Sequence, residues 1–95
     1  MFDRAFFEGQ FLDHVQQFCR EKGIVAPVVD LLLDDGSVIR LRAIRKVREG
    51  WLALSAYGDG DDSRLILCPY FTIKRITFST PSSPKDGVLS LPAKP

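Results

Sequence analysis

The sequence predicts a mainly β domain: one N-terminal helix, then five short antiparallel strands bent into a small barrel. Three observations carry that reading. Short apolar-rich runs alternate with turn residues from Val28 to Phe78, a spacing that marks successive strands rather than helices. The first two runs flank Asp35-Gly36, a hairpin signal because both central residues of a type I′ turn need positive φ. Ahead of them, Phe7, Phe11, Val15 and Phe18 recur at spacings of three and four, the period of one helix face. A meander of this length must curl into a barrel or pair with other chains, since open sheet edges invite aggregation.

The helix is expected over residues 3–22. Asp3 can cap its start, Arg20 and Lys22 suit the negative end of its dipole, and Gly23 fits the left-handed position that ends many helices. Leu12 and Cys19 widen the apolar stripe. Gly9 weakens the first turns, so Phe2 and Phe6 are expected to fray or to contact another subunit.

Ala26-Pro27 separates the helix from a barrel expected over residues 25–79. Alternation puts Val29, Leu31 and Leu33 on one face of the first strand. Ile39, Leu41 and Ala43 face the core in the second strand, with Arg40 and Arg42 outward. The third strand runs from Trp51 to Tyr57, with Leu52, Leu54 and Ala56 on one face. Gly58 to Ser63 is a loop tip, Arg64–Cys68 a fourth strand, and Lys74–Phe78 a fifth. Pro69 lacks an N–H and must break the ladder or lie at its edge. Residues 1–80 form the domain. Residues 81–95, rich in Pro and Ser, read as a tail that need not fold, unless the apolar island Val88, Leu89 and Leu91 docks on the sheet or on a neighbouring chain.

The chain has 95 residues, enough for one domain with a modest core. Its formal net charge of +1 excludes a global electrostatic pull toward nucleic acid or membrane, so any such role needs a local patch. Cys19 and Cys68 lack metal-ligand spacing and read as reduced core thiols, with a disulfide or metal pair as the alternative. Met1-Phe2-Asp3 does not open like a signal peptide, and no apolar run is long enough to span a membrane. The expected compartment is the cytoplasm, with no membrane partner.

No motif supports catalysis, and no cofactor or metal is implied. His14, the only histidine, has no nucleophile at sensible spacing and reads as a surface residue. Asp59, Asp61 and Asp62 sit in a hairpin without the closing Glu of a helix-flanked calcium loop, and read as a solvated tip. The basic residues are more informative. Arg40, Arg42, Arg45, Lys46 and Arg48 form one run, and Lys74 and Arg75 follow Tyr70 and Phe71. Nucleic-acid binding without strict base reading needs cations for phosphates and exposed rings for bases. Arg45, Lys46, Arg48, Tyr70, Phe71, Lys74 and Arg75 are therefore the candidate binding residues. The alternatives are that Arg40 and Arg42 are a solvated strand face, and that Tyr70 and Phe71 plug the barrel end or meet a protein. Trp51 is expected to pack under the helix or against a neighbour.

Val29-Asp30-Leu31-Leu32-Leu33-Asp34-Asp35-Gly36, with Ile39 and Leu41, resembles the Sm1 motif of Sm-like proteins, the Sm/LSm and Hfq group. Leu67 to Ile73 takes the place of their Sm2 segment, and Ile73 and Ile76 fit the final strand. The chain departs from the pattern at Arg40-Leu41-Arg42, where a mid-strand Gly is usual, and at Arg45 to Glu49, where an Asp-x-Met-Asn-like turn is usual. Pro69-Tyr70-Phe71 stands where Arg-Gly-Asn grips uridine. The resemblance implies an Sm-like five-stranded barrel and a homo-oligomeric ring. The fourth strand of one copy would pair with the fifth of the next, with about five to seven copies if the family habit holds. It also implies that the loops Arg45–Glu49 and Pro69–Thr72 meet at the pore side. Arg64-Leu65-Ile66-Leu67 and Lys74-Arg75-Ile76-Thr77-Phe78 are similar to the last segments of the Rho-inhibiting antiterminator Rof group.

Two functional expectations follow. One is a ring that binds nucleic acid, single-stranded RNA above all, in RNA processing or regulation. The other is a non-catalytic adaptor docking on a larger nucleic-acid machine; a purely structural ring subunit is a third possibility.

Overall fold

Asp3 starts the helix as its residue type suggests: its carboxylate accepts the Phe6 N–H at 2.9 Å. The computed structural model describes residues 2–58, 63–83 and 86–91. A single π-helical turn, Phe6–Gln10, leads into α1, Phe11–Lys22. The wider turn inserts an extra residue into the helical spiral, and Gly9, a poor helix former, lies inside it. Phe2 and Phe6 do not fray: both are half-buried against the core. Phe6 meets Phe2 at 5.0 Å and Phe7 at 5.2 Å between ring centres, edge to face, the arrangement aromatic quadrupoles favour. Gly23, at φ +66°, ends α1 with its N–H on the Cys19 carbonyl.

Five antiparallel strands follow: β1 Val28–Leu33, β2 Val38–Val47, β3 Trp51–Tyr57, β4 Ser63–Pro69 and β5 Ile73–Ser79. They form one sheet in the order β4-β3-β2-β1-β5. The bend comes from β2. Its first half pairs with β1, placing Arg40 opposite Asp30, and its second half pairs with β3. Register shifts between Leu41 and Ala43 and between Ile44 and Lys46 separate the halves, and irregularities of this kind turn a strand and increase its twist. The sheet folds over one interior where Val29, Leu31, Leu41, Leu52, Leu54 and Ala56 have no exposed surface, and Ile76 packs against them. The stripe Phe7, Phe11 and Val15 closes this interior, while Phe18 reaches the rim and meets Phe78 at 5.9 Å.

Three expectations change. The Asp35-Gly36 turn is not type I′: Gly36 alone has positive φ, +88°. Leu33 accepts the Gly36 N–H at 3.0 Å and donates its own N–H to Ser37 O at 2.9 Å, a longer hairpin connection with glycine in the left-handed place. Asp35 stabilises it by accepting from both the backbone N–H and the hydroxyl of Ser37, which lowers its pKa below the ordinary carboxylate value. The second difference is extent. β4 and β5 reach one residue further at each end than the expected Arg64–Cys68 and Lys74–Phe78. Pro69 ends β4 opposite Trp51, on an edge where its missing N–H costs no ladder bond.

The third difference is the tail, where the apolar island docks. Leu89 is buried; its N–H reaches Pro27 O at 2.8 Å, and the Ser90 N–H reaches Arg42 O at 2.7 Å. The Tyr57 hydroxyl donates to Val88 O at 2.6 Å. Gly87 lies so close to the Tyr57 ring that a Cβ there would stand 2.7 Å from it. Replacing Gly87 with valine is expected to cost about 1–3 kcal/mol through overpacking. A urea titration reads that loss, and hydrogen exchange at Leu89 and Ser90 should accelerate toward open-chain rates.

Candidate nucleic-acid interface

Strand pairing sorts the basic run. Arg40 is held by Asp30 in a bidentate pair, at 2.7 and 3.1 Å, and this hydrogen bonding raises its pKa further above the ordinary arginine value. Arg42 lies over the Tyr57 ring, 5.7 Å from its centre, a cation–π distance. Both are half-buried on the outside of the bend and engaged within the chain. Arg45, Lys46 and Arg48 are exposed. Arg45 Nε donates to Ser55 Oγ at 2.7 Å, which tethers the guanidinium to the sheet.

The loops at residues 45–49 and 69–72 do come together, and Tyr70 joins them. Its hydroxyl donates to Arg48 O at 2.7 Å and its N–H to Gly50 O at 3.2 Å. The β1–β2 connection reaches the same end of the sheet, where Asp34 N–H meets Thr72 O at 2.8 Å. Residues Tyr70–Thr72 form a 3-10 turn. Such a turn rotates successive side chains by about 120°, so neighbours diverge. Tyr70 turns inward, 5% exposed, and stacks on Phe7 at 5.6 Å and 16° between planes. Its ring therefore has no face free for a base and instead plugs the end of the sheet. Burial raises its phenol pKa above the ordinary value of 10. Phe71 turns outward, 70% exposed.

Acidic groups dilute the charge at this end. Glu49 sits 3.4 Å from Arg4, which also pairs with Glu8 at 3.3 Å, and Asp34 and Asp35 are exposed on the neighbouring connection. The predicted residues do not form one patch. Arg48 and Phe71 share the loop end. Lys74 and Arg75 are exposed on β5, where Arg75 stands opposite Leu32 beside Asp30 and Thr77. Arg45 and Lys46, near the end of β2, border a cleft on the outer face of β3 and β4 that is lined by Trp51, Ala53, Leu65 and Leu67.

That cleft is where Trp51 lies, on the outer face rather than under the helix. Sequence reasoning missed Leu65 and Leu67 as surface residues. The available signal was that Arg64-Leu65-Ile66-Leu67-Cys68 is apolar on both strand faces, whereas a strand covered on one side alternates. His14 is exposed and stacks on Phe6, 6.1 Å between ring centres. Cys19 and Cys68 are free thiols, and desolvation raises the Cys19 pKa. Among the described residues, no three His, Cys, Asp or Glu side chains are grouped to hold a metal ion, and no helix is long and apolar enough to cross a membrane. Asp59, Asp61 and Asp62 lie outside the described residues. No family model, curated protein or solved structure matches this chain.

Proposed function

We propose that this chain is a non-catalytic, Sm-like, ring-forming protein that binds single-stranded RNA in RNA processing or regulation. The observation that carries the reading is the junction clamped by Tyr70, which holds the exposed Phe71 ring beside the Arg48 loop. A phenyl ring left in water at a tethered turn is a ready surface for a base, and Arg48 supplies a cation for the phosphate. Arg45, Lys46, Lys74 and Arg75 extend the basic surface away from that junction. Assembly is supported by the two ends of the sheet. β4 and β5 are both edges, and pairing the β4 of one copy with the β5 of the next would satisfy both and close a ring.

Light scattering with and without oligo-U and oligo-A tests assembly and binding together. Fluorescence anisotropy should show affinity that falls as salt rises, with a log–log slope of about −0.7 per phosphate neutralised. Phe71→Ala is expected to weaken binding roughly 5- to 150-fold, the worth of one stacked base. Absence of binding at low salt would remove this reading. A second reading, a Rof-like adaptor that docks on another protein, is favoured by the exposed Leu65 and Leu67. A monomer without RNA affinity is its signature.

A further inference from the structure

The outer face of β3 and β4 carries an apolar surface that the RNA reading does not use. Cys68 is buried and Ile66 packs against the core, so alternation turns Leu65 and Leu67 outward, where they are 68% and 63% exposed. Register sets Leu67 opposite Ala53 and Leu65 opposite Ser55, with Trp51 at the end of the same row. The result is an apolar strip around a cleft of about 400 Å³. Arg45 and Lys46 form its basic rim, and among the described residues no acidic side chain lines it. The hydrogen bond from Arg45 to Ser55 holds that guanidinium at the cleft.

Two leucines left largely in water beside a tryptophan mark a contact surface, and its chemistry selects the occupant. Trp51 is the one ring in the lining that could stack a base, whereas Ala53, Leu65 and Leu67 are aliphatic and gain about 25 cal/mol for each Å² of apolar side chain they cover. The two cations of the rim, Arg45 and Lys46, favour carboxylates. A second copy docking by the same face would set these cations against themselves, which opposes association. We propose that this face binds an acidic peptide segment of another protein, with apolar residues in the cleft and carboxylates on Arg45 and Lys46. The inference does not rest on the RNA reading: Arg45 and Lys46 are common to both, but the apolar strip is separate from the Phe71 junction.

Trp51 is the only tryptophan in the chain, so its emission reports the cleft directly. The full chain would be titrated with a synthetic peptide of alternating Glu and Leu, with its Lys–Leu counterpart, and with oligo-U. A saturable blue shift is expected with the acidic peptide alone, weakening as salt rises. Leu67→Ser and Lys46→Glu should each weaken it about tenfold or more, the equivalent of 1.4 kcal/mol, with unfolding midpoints close to the parent because both sites are exposed. Phe71→Ala should leave the peptide titration unchanged, and Leu67→Ser should leave RNA anisotropy unchanged, so the two readings fail separately. No shift, or an equal shift with both peptides, overturns the proposal. So does a shift produced only by oligo-U, or one produced by raising the protein concentration alone, which would assign the face to RNA or to a second copy.

Discussion

Tyr70→Ala is expected to lower stability by about 3–5 kcal/mol, the range for removing a buried aromatic ring, and to release the loop at Arg48–Gly50. The cost has two parts. Losing the ring removes the plug that stacks on Phe7, and losing the hydroxyl leaves Arg48 O without its 2.7 Å donor. Tyr70→Phe separates them, since it keeps the stack and gives up one neutral hydrogen bond, about 0.5–1.5 kcal/mol. Urea unfolding of both variants measures the split. Equal losses would mean that the stack contributes nothing.

The same residue predicts a pH dependence. Burial raises the Tyr70 pKa above its ordinary value of 10, so the protonated phenol is the form the folded state favours. Its stabilising contribution is complete below the ordinary value and is lost as pH rises through the raised one. The stability gap between the parent and Tyr70→Phe should therefore shrink in alkaline solution. A gap that stays constant across that window would contradict the assignment.

Leu41→Ala is expected to cost about 2–5 kcal/mol, because a fully buried leucine leaves a cavity that its neighbours fill only in part. Leu41 stands where β2 leaves its pairing with β1 and begins its pairing with β3, so the void would open at the bend. Against the 5–15 kcal/mol typical of a domain, one substitution would remove a large fraction of the total. Val38→Ala, on the same strand but 58% exposed, should stay within about 0.5 kcal/mol. Thermal or urea midpoints compare the two. Similar losses at both positions would show that the bend does not enclose a common core.

The residues that proved easiest to read were those whose partners are local. Asp3 and Gly23 work within a turn of their own helix, and the alternation of Val29, Leu31, Ile39 and Leu41 reports which strand face is wet. The candidate interface was harder. Tyr70 and Phe71 are adjacent aromatics of similar composition, and only the pitch of a 3-10 turn sends one inward and the other outward. Arg40 and Arg45 are both basic residues on β2, yet cross-strand register gives one a carboxylate and the other a serine hydroxyl. The docking of Leu89 depends on Pro27 and Arg42, remote in sequence.

The sequence by itself determined the strand and helix periods, the fold class and the candidate set of cations and rings, because burial pattern and capping act between near neighbours. Tertiary structure alone decided which of those groups are free. Register, bulges and the turn at Tyr70–Thr72 assign each side chain a partner from distant parts of the chain, and a side chain already engaged has less to offer a ligand.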